Sequence, residues 1–281
     1  MSRLAVRKTY KLYIGGAFPR SESGRSYAVT SPKGDFLANA SRASRKDVRD
    51  AVVAARKAFP GWSGATAYNR GQILYRIAEM LEGRRAQFAD ELGGGKKAAL
   101  EAVDATVDRL VWYAGWSDKI ASVHSTANPV SGPYFNLSSP EPAGVVGVVA
   151  PEDPLAGLIS VIAPVIVTGN TCVVIASEKT PLPSITLAEV LATSDLPGGV
   201  VNILTGRQRE LAPWLAAHMD VNGLDLTGVS DADLALSCEQ AAAENLKRVL
   251  RSSDEDWRAA PALTRMTRFL ETKTVWHPLG V

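Results

Sequence analysis

The chain has few of the residues that mark secreted or metal-binding proteins. Only two cysteines, Cys172 and Cys238, occur among 281 residues, and they lie far apart in apolar surroundings. This pattern predicts two reduced structural thiols and excludes a disulfide framework. The three histidines are isolated, and no Cys/His cluster has metal-ligand spacing, so the sequence predicts no metal site.

Excess charge and long apolar runs are also scarce. The formal net charge is only +2, without the clustered basic excess of most nucleic-acid-binding domains. The first residues lack the apolar core of a signal peptide. The longest apolar run, near residues 155–168, contains Pro164 and is too short to span a bilayer. We therefore expect a cytoplasmic protein with no nucleic-acid or membrane partner.

Residues 144–204 carry the strongest structural pattern. Three short β-branched runs, at 144–150, 171–176 and 200–204, are separated by two longer apolar segments. Each run is continuously apolar and bounded by Gly or Pro, which is typical of strands buried on both faces of a parallel sheet. The order predicts strand–helix–strand–helix–strand, with any nucleotide at the carboxyl ends of the strands.

The flanking sequence predicts further elements around this sheet. On its N-terminal side, paired strands and turns over 11–40 precede four helices, the first capped by Ser44 with Asp47 three residues later. On its C-terminal side, strands near 223–226 and 247–251 alternate with helices. The predicted fold class is therefore α/β, with a doubly wound, Rossmann-like parallel sheet of five strands.

Two polar stretches interrupt this pattern. Residues 124–142 are rich in Ser, Pro, Gly and Asn, and they predict either a linker or a protruding hairpin that includes strand 133–137. Residues 252–261 predict a polar connector, and Thr274-Val275-Trp276 in the tail predicts a strand.

A series of motifs resembles the NAD(P)-dependent aldehyde dehydrogenases, in the order of that family. The motifs are KLYIGGAF (11–18), YAGWSDKI (113–120), GPYFNLSSPEPAGVVGVVAP (132–151), SEKTPL (177–182), LPGGVVNILTG (196–206), DLTG (225–228), NLKRV (245–249) and KTVWHPLG (273–280). The resemblance implies a Rossmann-like NAD-binding-type domain over residues 1–122 and 143–262. It also implies a small β oligomerisation element, formed by a hairpin at 123–142 and a C-terminal strand within 263–281.

The resemblance also indicates what this chain does not contain. In the family, the motif NLKRV leads into a catalytic domain, whereas here only residues 250–271 separate it from the C-terminal motif. Neither cysteine aligns with the nucleophile that aldehyde oxidation needs. Asp153 stands at or near the asparagine that donates to the oxyanion, and a carboxylate cannot donate a hydrogen bond. Ser252 stands at the place of the glutamate general base, so no catalytic residue is expected.

The cofactor site implied by the resemblance is eroded as well. The lysine of the adenine-ribose site is Ile175, and a glycine of the adenine region is Gln208. In the pyrophosphate motif, Val229 replaces a serine and Leu234 replaces a glycine that lets the phosphate approach. We expect no resident cofactor, and NAD or NADP if any binding survives. The vestigial cofactor-binding candidates are Glu178, Ala150, Pro151 and Gly228.

Three functions are compatible with these residues. The preferred one is a catalytically inactive assembly or regulatory subunit, because both oligomerisation pieces are retained. Such a subunit would homo-oligomerise or pair with a full-length aldehyde dehydrogenase, with its tail adding a strand to a partner's sheet. The alternatives are a module that binds NAD(P) without chemistry, and an oxidoreductase that is active alone or within a complex.

Overall fold

The structure, a computed structural model, describes residues 8–253 and 255–280. The strands are β1 (Thr9–Tyr10), β2 (Ser26–Thr30), β3 (Phe36–Ser41), β4 (Thr126–Asn128), β5 (Tyr134–Pro142), β6 (Val145–Val149), β7 (Thr171–Ile175), β8 (Val201–Leu204), β9 (Gly223–Asp225), β10 (Arg248–Leu250) and β11 (Leu270–Pro278). The helices are α1 (Arg45–Ser63), α2 (Ala67–Glu82), α3 (Arg85–Leu92), α4 (Lys96–Trp116), α5 (Ile120–His124), α6 (Ala156–Val167), α7 (Leu182–Ala192), α8 (Gln208–Ala217), α9 (Ala232–Ala243) and α10 (Thr264–Thr267).

A five-stranded parallel sheet lies at the centre, in the order β10–β9–β6–β7–β8. The chain enters at β6, moves outward through β7 and β8, and then crosses back to β9 and β10. The strand order therefore reverses between β6 and β9, which makes this the topological switch point where open α/β sheets bind ligands. The doubly wound prediction is confirmed, and the three strands predicted within 144–204 all form.

Helices cover both faces of this sheet. Val146 and Val148 of β6 pack in one core cluster with α2, α4, α6 and α7, whereas Val145 and Val149 pack in a second with α1, α8 and α9. Every residue of α6 is buried, because this helix lies between the sheet and the outer pair α2 and α4. Within the described ranges, no helix combines the length and the apolarity needed to cross a bilayer.

The predicted cap at the start of α1 forms, and it also fastens the N-terminal segment. The Asp47 carboxylate accepts hydrogen bonds from the Ser44 amide at 2.7 Å and the Ser44 hydroxyl at 2.9 Å. It also accepts from Ser21 Oγ at 2.9 Å and from the Glu22 amide at 3.0 Å. Asp47 is buried, and these donors offset the loss of its hydration.

The strand predicted near residue 11 is shorter than expected. Only Thr9 and Tyr10 join β3, and Tyr13 then turns to the outer edge of β8, where its amide and carbonyl pair with Ile203. A turn follows at Gly15 and Gly16, whose φ angles of +62° and +85° suit glycine.

A second, antiparallel sheet in the order β11–β5–β4 stands apart from the parallel one. The predicted hairpin and tail strand both form, but β5 and β11 are longer than predicted and pair along nine residues, from Leu270 opposite Pro142 to Pro278 opposite Tyr134. The short helix α10, which precedes β11, packs on α6 in the main core rather than on this antiparallel sheet. In the part of the chain that the structure describes, no strand pairs with the outer edge of β11.

The crossing of α2 and α4 generates a test of this packing. A Cβ added at Gly71 would lie 2.3 Å from Ser117 Oγ and 3.0 Å from the Ala114 carbonyl oxygen. We expect Gly71→Ala to lower the free energy of unfolding by about 1–3 kcal/mol, since overpacking outweighs the better helix propensity of alanine. Urea denaturation measures this change.

Gly115→Ala on α4 is the matched control. Nothing lies within 4 Å of a Cβ at Gly115, so this variant should gain up to about 1 kcal/mol from helix propensity. Equal stability of the two variants would contradict the close approach of the helices at Gly71.

Candidate functional site

The carboxyl ends of β6 and β9 form the floor of the candidate site. The Gly228 amide, just after β9, donates to the Val149 carbonyl at 2.9 Å. A Cβ on Gly228 would lie 1.9 Å from the Ala150 carbonyl oxygen, so only glycine fits there. Ala150 itself donates to the Ile175 carbonyl of β7 at 2.9 Å. Two predicted cofactor residues, Gly228 and Ala150, are therefore brought together, and their contact serves the packing of the β9 loop on β6.

The loop after β6 places a carboxylate at the start of α6. Asp153 Oδ1 accepts from the Leu155 amide at 3.1 Å and from the Gly157 amide at 2.8 Å. The Pro151 ring lies against the same turn, 2.8 Å from where a Cβ on Gly157 would be. The amides that give a helix N-terminus its affinity for anions are thus occupied by the chain's own negative charge. A bound anion would meet Asp153 there.

The start of α9, which follows the Gly228 loop, is closed in the same way. Asp231 caps this helix, with its Oδ1 accepting from the Asp233 amide at 3.1 Å and the Leu234 amide at 3.3 Å. Its Oδ2 pairs with Arg209. The resemblance places the pyrophosphate near this turn, where Leu234 is buried and the capping group is a carboxylate.

The third candidate region is a groove beside Glu178, at the carboxyl end of β7. Glu178 Oε2 accepts from the Gln208 amide at 3.4 Å. Burial and then the nearby Glu178 charge raise the pKa of Tyr27, whose buried hydroxyl has no hydrogen-bond partner among the described residues. Ile175 is fully buried in β7 and contributes no cation. The groove has a volume of about 640 Å³ and is lined in part by Tyr27, Ser31, Glu178, Lys179, Thr180 and Arg207.

The described part of the connection between β10 and β11, residues 251–253 and 255–269, lies over the switch point. On the β9 side, the Ser252 hydroxyl donates to the Thr227 carbonyl at 3.0 Å. On the β6 side, the ring of half-buried Trp257 comes within 3.3 Å of the Cβ position of Gly157. The predicted polar connector therefore contacts both sides of the crevice. The only sequence signal for this contact is a tryptophan in an otherwise polar stretch, which alone does not predict its position over the crevice.

A buried ionic cluster fixes this connection to β9. Arg265 donates from Nη1 to Asp225 Oδ2 and from Nη2 to Thr227 Oγ1, both at 3.0 Å, and from Nε to Glu255 Oε2 at 3.0 Å. The Arg265 and Asp225 side chains are only 10% and 1% exposed. Burial raises the pKa of Asp225, although Arg265 and Thr227 oppose that rise. Burial would also raise the pKa of Glu255, but its hydrogen bonds from Arg265 hold the value below the ordinary one.

Helix α4 holds the same connection from the opposite side. Arg109 is buried, and its Nη2 donates to the backbone carbonyls of Trp257 and Ala259, each at 2.7 Å. The guanidinium of Arg265 also lies 5.3 Å from the centre of the Trp257 ring, within cation–π range. The connection is thus held from β9, α4 and α6 at once.

Both thiols lie away from this edge of the sheet. Cys172 is the second residue of β7 and fully buried, and burial raises its pKa. Cys238 lies in α9, where burial and then Glu239 raise its pKa to about 11. Reactive thiols are accessible and have a lowered pKa, so neither residue fits that chemistry. Across 8–253 and 255–280, no group of three or more His, Cys, Asp or Glu side chains could hold a metal ion.

Comparison with known proteins agrees with the sequence motifs. The model of the aldehyde dehydrogenase family matches residues 18–252. The chain belongs to the aldehyde dehydrogenase family. It is 34% identical to retinal dehydrogenase 2 of Mus musculus over 252 residues, which cover 86% of this chain and 48% of that protein. It is 33% identical to aldehyde dehydrogenase 1A1 of Homo sapiens over 249 residues, which cover 85% and 49%.

Solved structures of the family share the fold. The NAD+ complex of an aldehyde dehydrogenase from Bacillus cereus matches with a TM-score of 0.81 and 30% identity, over 86% of this chain and 50% of that one. The chain therefore spans about half the length of the aldehyde dehydrogenases it matches. The family match ends at residue 252, near the start of the connection over the switch point.

The described residues of this aldehyde dehydrogenase homologue do not fit a dinucleotide across the switch point. A pyrophosphate near α9 would face the Asp231 carboxylate, and one near α6 would face Asp153. Between the two, Trp257 lies against α6 at Gly157 and Arg265 pairs with Asp225 at the end of β9. The groove beside Glu178 is open.

The ionic cluster yields a stability test. Arg265→Met leaves the Asp225 carboxylate buried without its cation, so we expect the free energy of unfolding to fall by about 3–5 kcal/mol at neutral pH. Arg248→Met is the control, because its pair with Glu271 is 41% and 55% exposed and should contribute no more than about 1 kcal/mol. Denaturant unfolding of both variants measures the difference, and similar losses would contradict the role of burial.

The pH dependence of Arg265→Met is a separate test. Without Arg265, burial should raise the folded-state pKa of Asp225 further above its unfolded value of about 3.9. A carboxyl group with a raised folded-state pKa takes up a proton more readily when folded, so the variant should regain stability as the pH falls through that pKa. We expect a smaller deficit relative to wild type near about pH 5 than near about pH 8. A deficit that grows on acidification would contradict this assignment.

Proposed function

We propose that this chain is a catalytically inactive member of the aldehyde dehydrogenase family, acting as an assembly or regulatory subunit in the cytoplasm. Its partner is a second copy of itself or a full-length aldehyde dehydrogenase. One observation carries the proposal: the β4–β5–β11 sheet is complete and exposed, whereas the carboxyl edge of the parallel sheet has no accessible thiol among the described residues.

Loss of catalysis is supported by the groups that stand at the expected catalytic positions. The two thiols are buried with raised pKa values, so they are protonated at neutral pH. Asp153 uses its carboxylate to accept backbone hydrogen bonds and cannot stabilise an oxyanion. Ser252 donates to a carbonyl and contributes no carboxylate base. None of these groups can start or finish the oxidation of an aldehyde.

The β4–β5–β11 sheet is held together by its own polar contacts. Asn128 Nδ2 donates to Asn136 Oδ1 at 2.6 Å and to Ser138 Oγ at 2.8 Å. The Ser138 and Thr274 hydroxyls lie 2.7 Å apart and link β5 to β11. These contacts link all three strands without any partner chain.

The same sheet exposes large apolar side chains on both faces. Phe135 and Leu137 lie two residues apart on β5, so their side chains share one face of the sheet, and they are 46% and 37% exposed. Tyr134 and Trp276 share the other face, with ring centres 5.8 Å apart, and are 44% and 56% exposed. Clustered exposed apolar groups of this kind mark interaction surfaces.

The outer edge of β11 adds a second means of association. It is a nine-residue strand, and no strand in the described ranges pairs with its outer side. Long unprotected edges readily accept a strand from another chain. We therefore favour strand addition at β11, supported by burial of the apolar side chains on the sheet faces.

Size-exclusion chromatography with light scattering tests the assembly role. We expect the wild-type chain to run as an oligomer, alone or mixed with a full-length aldehyde dehydrogenase of the same host, and Phe135→Asp to shift it toward the monomer. Tyr68→Asp is the matched control, because Tyr68 is 65% exposed on α2, away from this sheet, and should leave the oligomer intact. A monomeric wild type in both settings would refute the proposal.

An activity assay tests the loss of catalysis. The isolated chain should form no NADH or NADPH from aldehydes under conditions where a full-length homologue is active, because it presents no thiolate to the substrate. Aldehyde-dependent turnover by the isolated chain would instead support the oxidoreductase alternative.

The NAD(P)-binding alternative rests on the open groove beside Glu178. Calorimetric titration with NAD and NADP distinguishes it from the assembly role. Saturable heat at millimolar nucleotide, lost in Glu178→Ala, would favour that alternative over a purely structural subunit.

A further inference from the structure

The crevice at the switch point is filled by a segment of the chain itself. We call residues 252, 253 and 255–265 the strap, because they run from the end of β10 into α10 and contact the ends of β6 and β9. The strap contacts the β9 side through Ser252 and Arg265 and the β6 side through Trp257. It therefore lies along the line that a ligand bridging the two halves of the sheet would follow.

The strap is held in place by charged and polar contacts. Arg265 donates hydrogen bonds to a carboxylate and a hydroxyl at the end of β9 and to Glu255 within the strap. Its guanidinium also lies over the Trp257 ring. Arg109 on α4 donates two further hydrogen bonds to strap carbonyls. An ion pair of this kind resists separation, because parting it leaves charges buried without partners.

The apolar side of the same connection is also anchored. Met266 and Phe269, which follow the strap, are buried in the main core. The ring of Phe269 packs so closely on β9 that a Cβ at Gly223 would lie 2.5 Å from it. This anchor fixes the end of the strap without depending on residues 252–263, so the central part can be replaced while the anchor stays.

We infer that the strap is an internal occupant of the dinucleotide crevice, which excludes NAD(P) from the switch point for as long as it is seated. Occupancy of the crevice does not depend on the assembly role. Two causes of weak nucleotide binding can then be distinguished. One is physical occupancy by the strap, and the other is repulsion by the carboxylates of Asp153 and Asp231.

The test compares two variants of the full chain. In the first, residues 253–262 are replaced by a Gly/Ser linker of the same length, which removes Glu255 and Trp257 but keeps Arg265, Met266 and Phe269. In the second, Asp153→Asn and Asp231→Asn remove the two repelling charges and leave the strap seated. Calorimetric titration with NAD and NADP, after circular dichroism and cooperative unfolding have shown each variant to be folded, gives the affinities.

We expect the linker variant to bind nucleotide at least roughly ten-fold more tightly than the wild type, and the Asn variant to show no gain. The reverse result would overturn the inference, since repulsion would then exclude the nucleotide. A folded linker variant that binds no better than the wild type would overturn it as well.

Hydrogen exchange on the wild-type chain supplies a second measurement, should the linker variant fail to fold. If strap and nucleotide compete for one place, millimolar NAD or NADP should increase amide exchange in residues 252–263. Nucleotide binding at the switch point that leaves this exchange unchanged or lowers it would contradict the inference, because both would then occupy the crevice together.

Discussion

The ion pair between Arg265 and Asp225 is the contact on which the C-terminal half of this protein depends. Asp225 is almost completely removed from water, and a carboxylate in that position needs a cation and hydrogen-bond donors to stay charged. Arg265 supplies the cation from a segment far along the chain, and Thr227 supplies the donors. The last strands of the sheet and the short connection that follows them are thereby made a single packed unit.

This unit also covers one end of the parallel sheet. A parallel sheet needs both faces covered, and β9 and β10 lie at one end of it, beyond the cover given by α2, α4 and α7. Met266 and Phe269 cover that end, and the polar residues just before them close the crevice above it. The apolar part of this connection thus packs on the sheet, and its polar part lies over the crevice.

The carboxyl ends of β6 and β9 combine a close backbone contact with two capping carboxylates. The glycine and alanine that meet at the ends of β6 and β9 preserve the packing of the fold, since a single methyl group at Gly228 would collide with the backbone of Ala150. The groups beside them, Asp153 and Asp231, are carboxylates that accept hydrogen bonds from the amides at helix starts. The antiparallel sheet, by contrast, keeps its strands, its polar links and its exposed apolar side chains.

The sequence by itself determined the layered α/β fold, the cap at Ser44 and Asp47, and the hairpin with its tail strand. Those features arise from local patterns, such as continuous β-branched runs and residues with fixed capping spacing, which act within a few residues. The short β1 and the full length of β5 and β11 escaped prediction, because strand length depends on which edge a partner strand offers. The occupied crevice was decided only by tertiary structure. Arg265 and Asp225 are separated by 40 positions in the chain. A polar segment is predicted from sequence to be a connector, because the distant buried charge that binds it is known only from the fold.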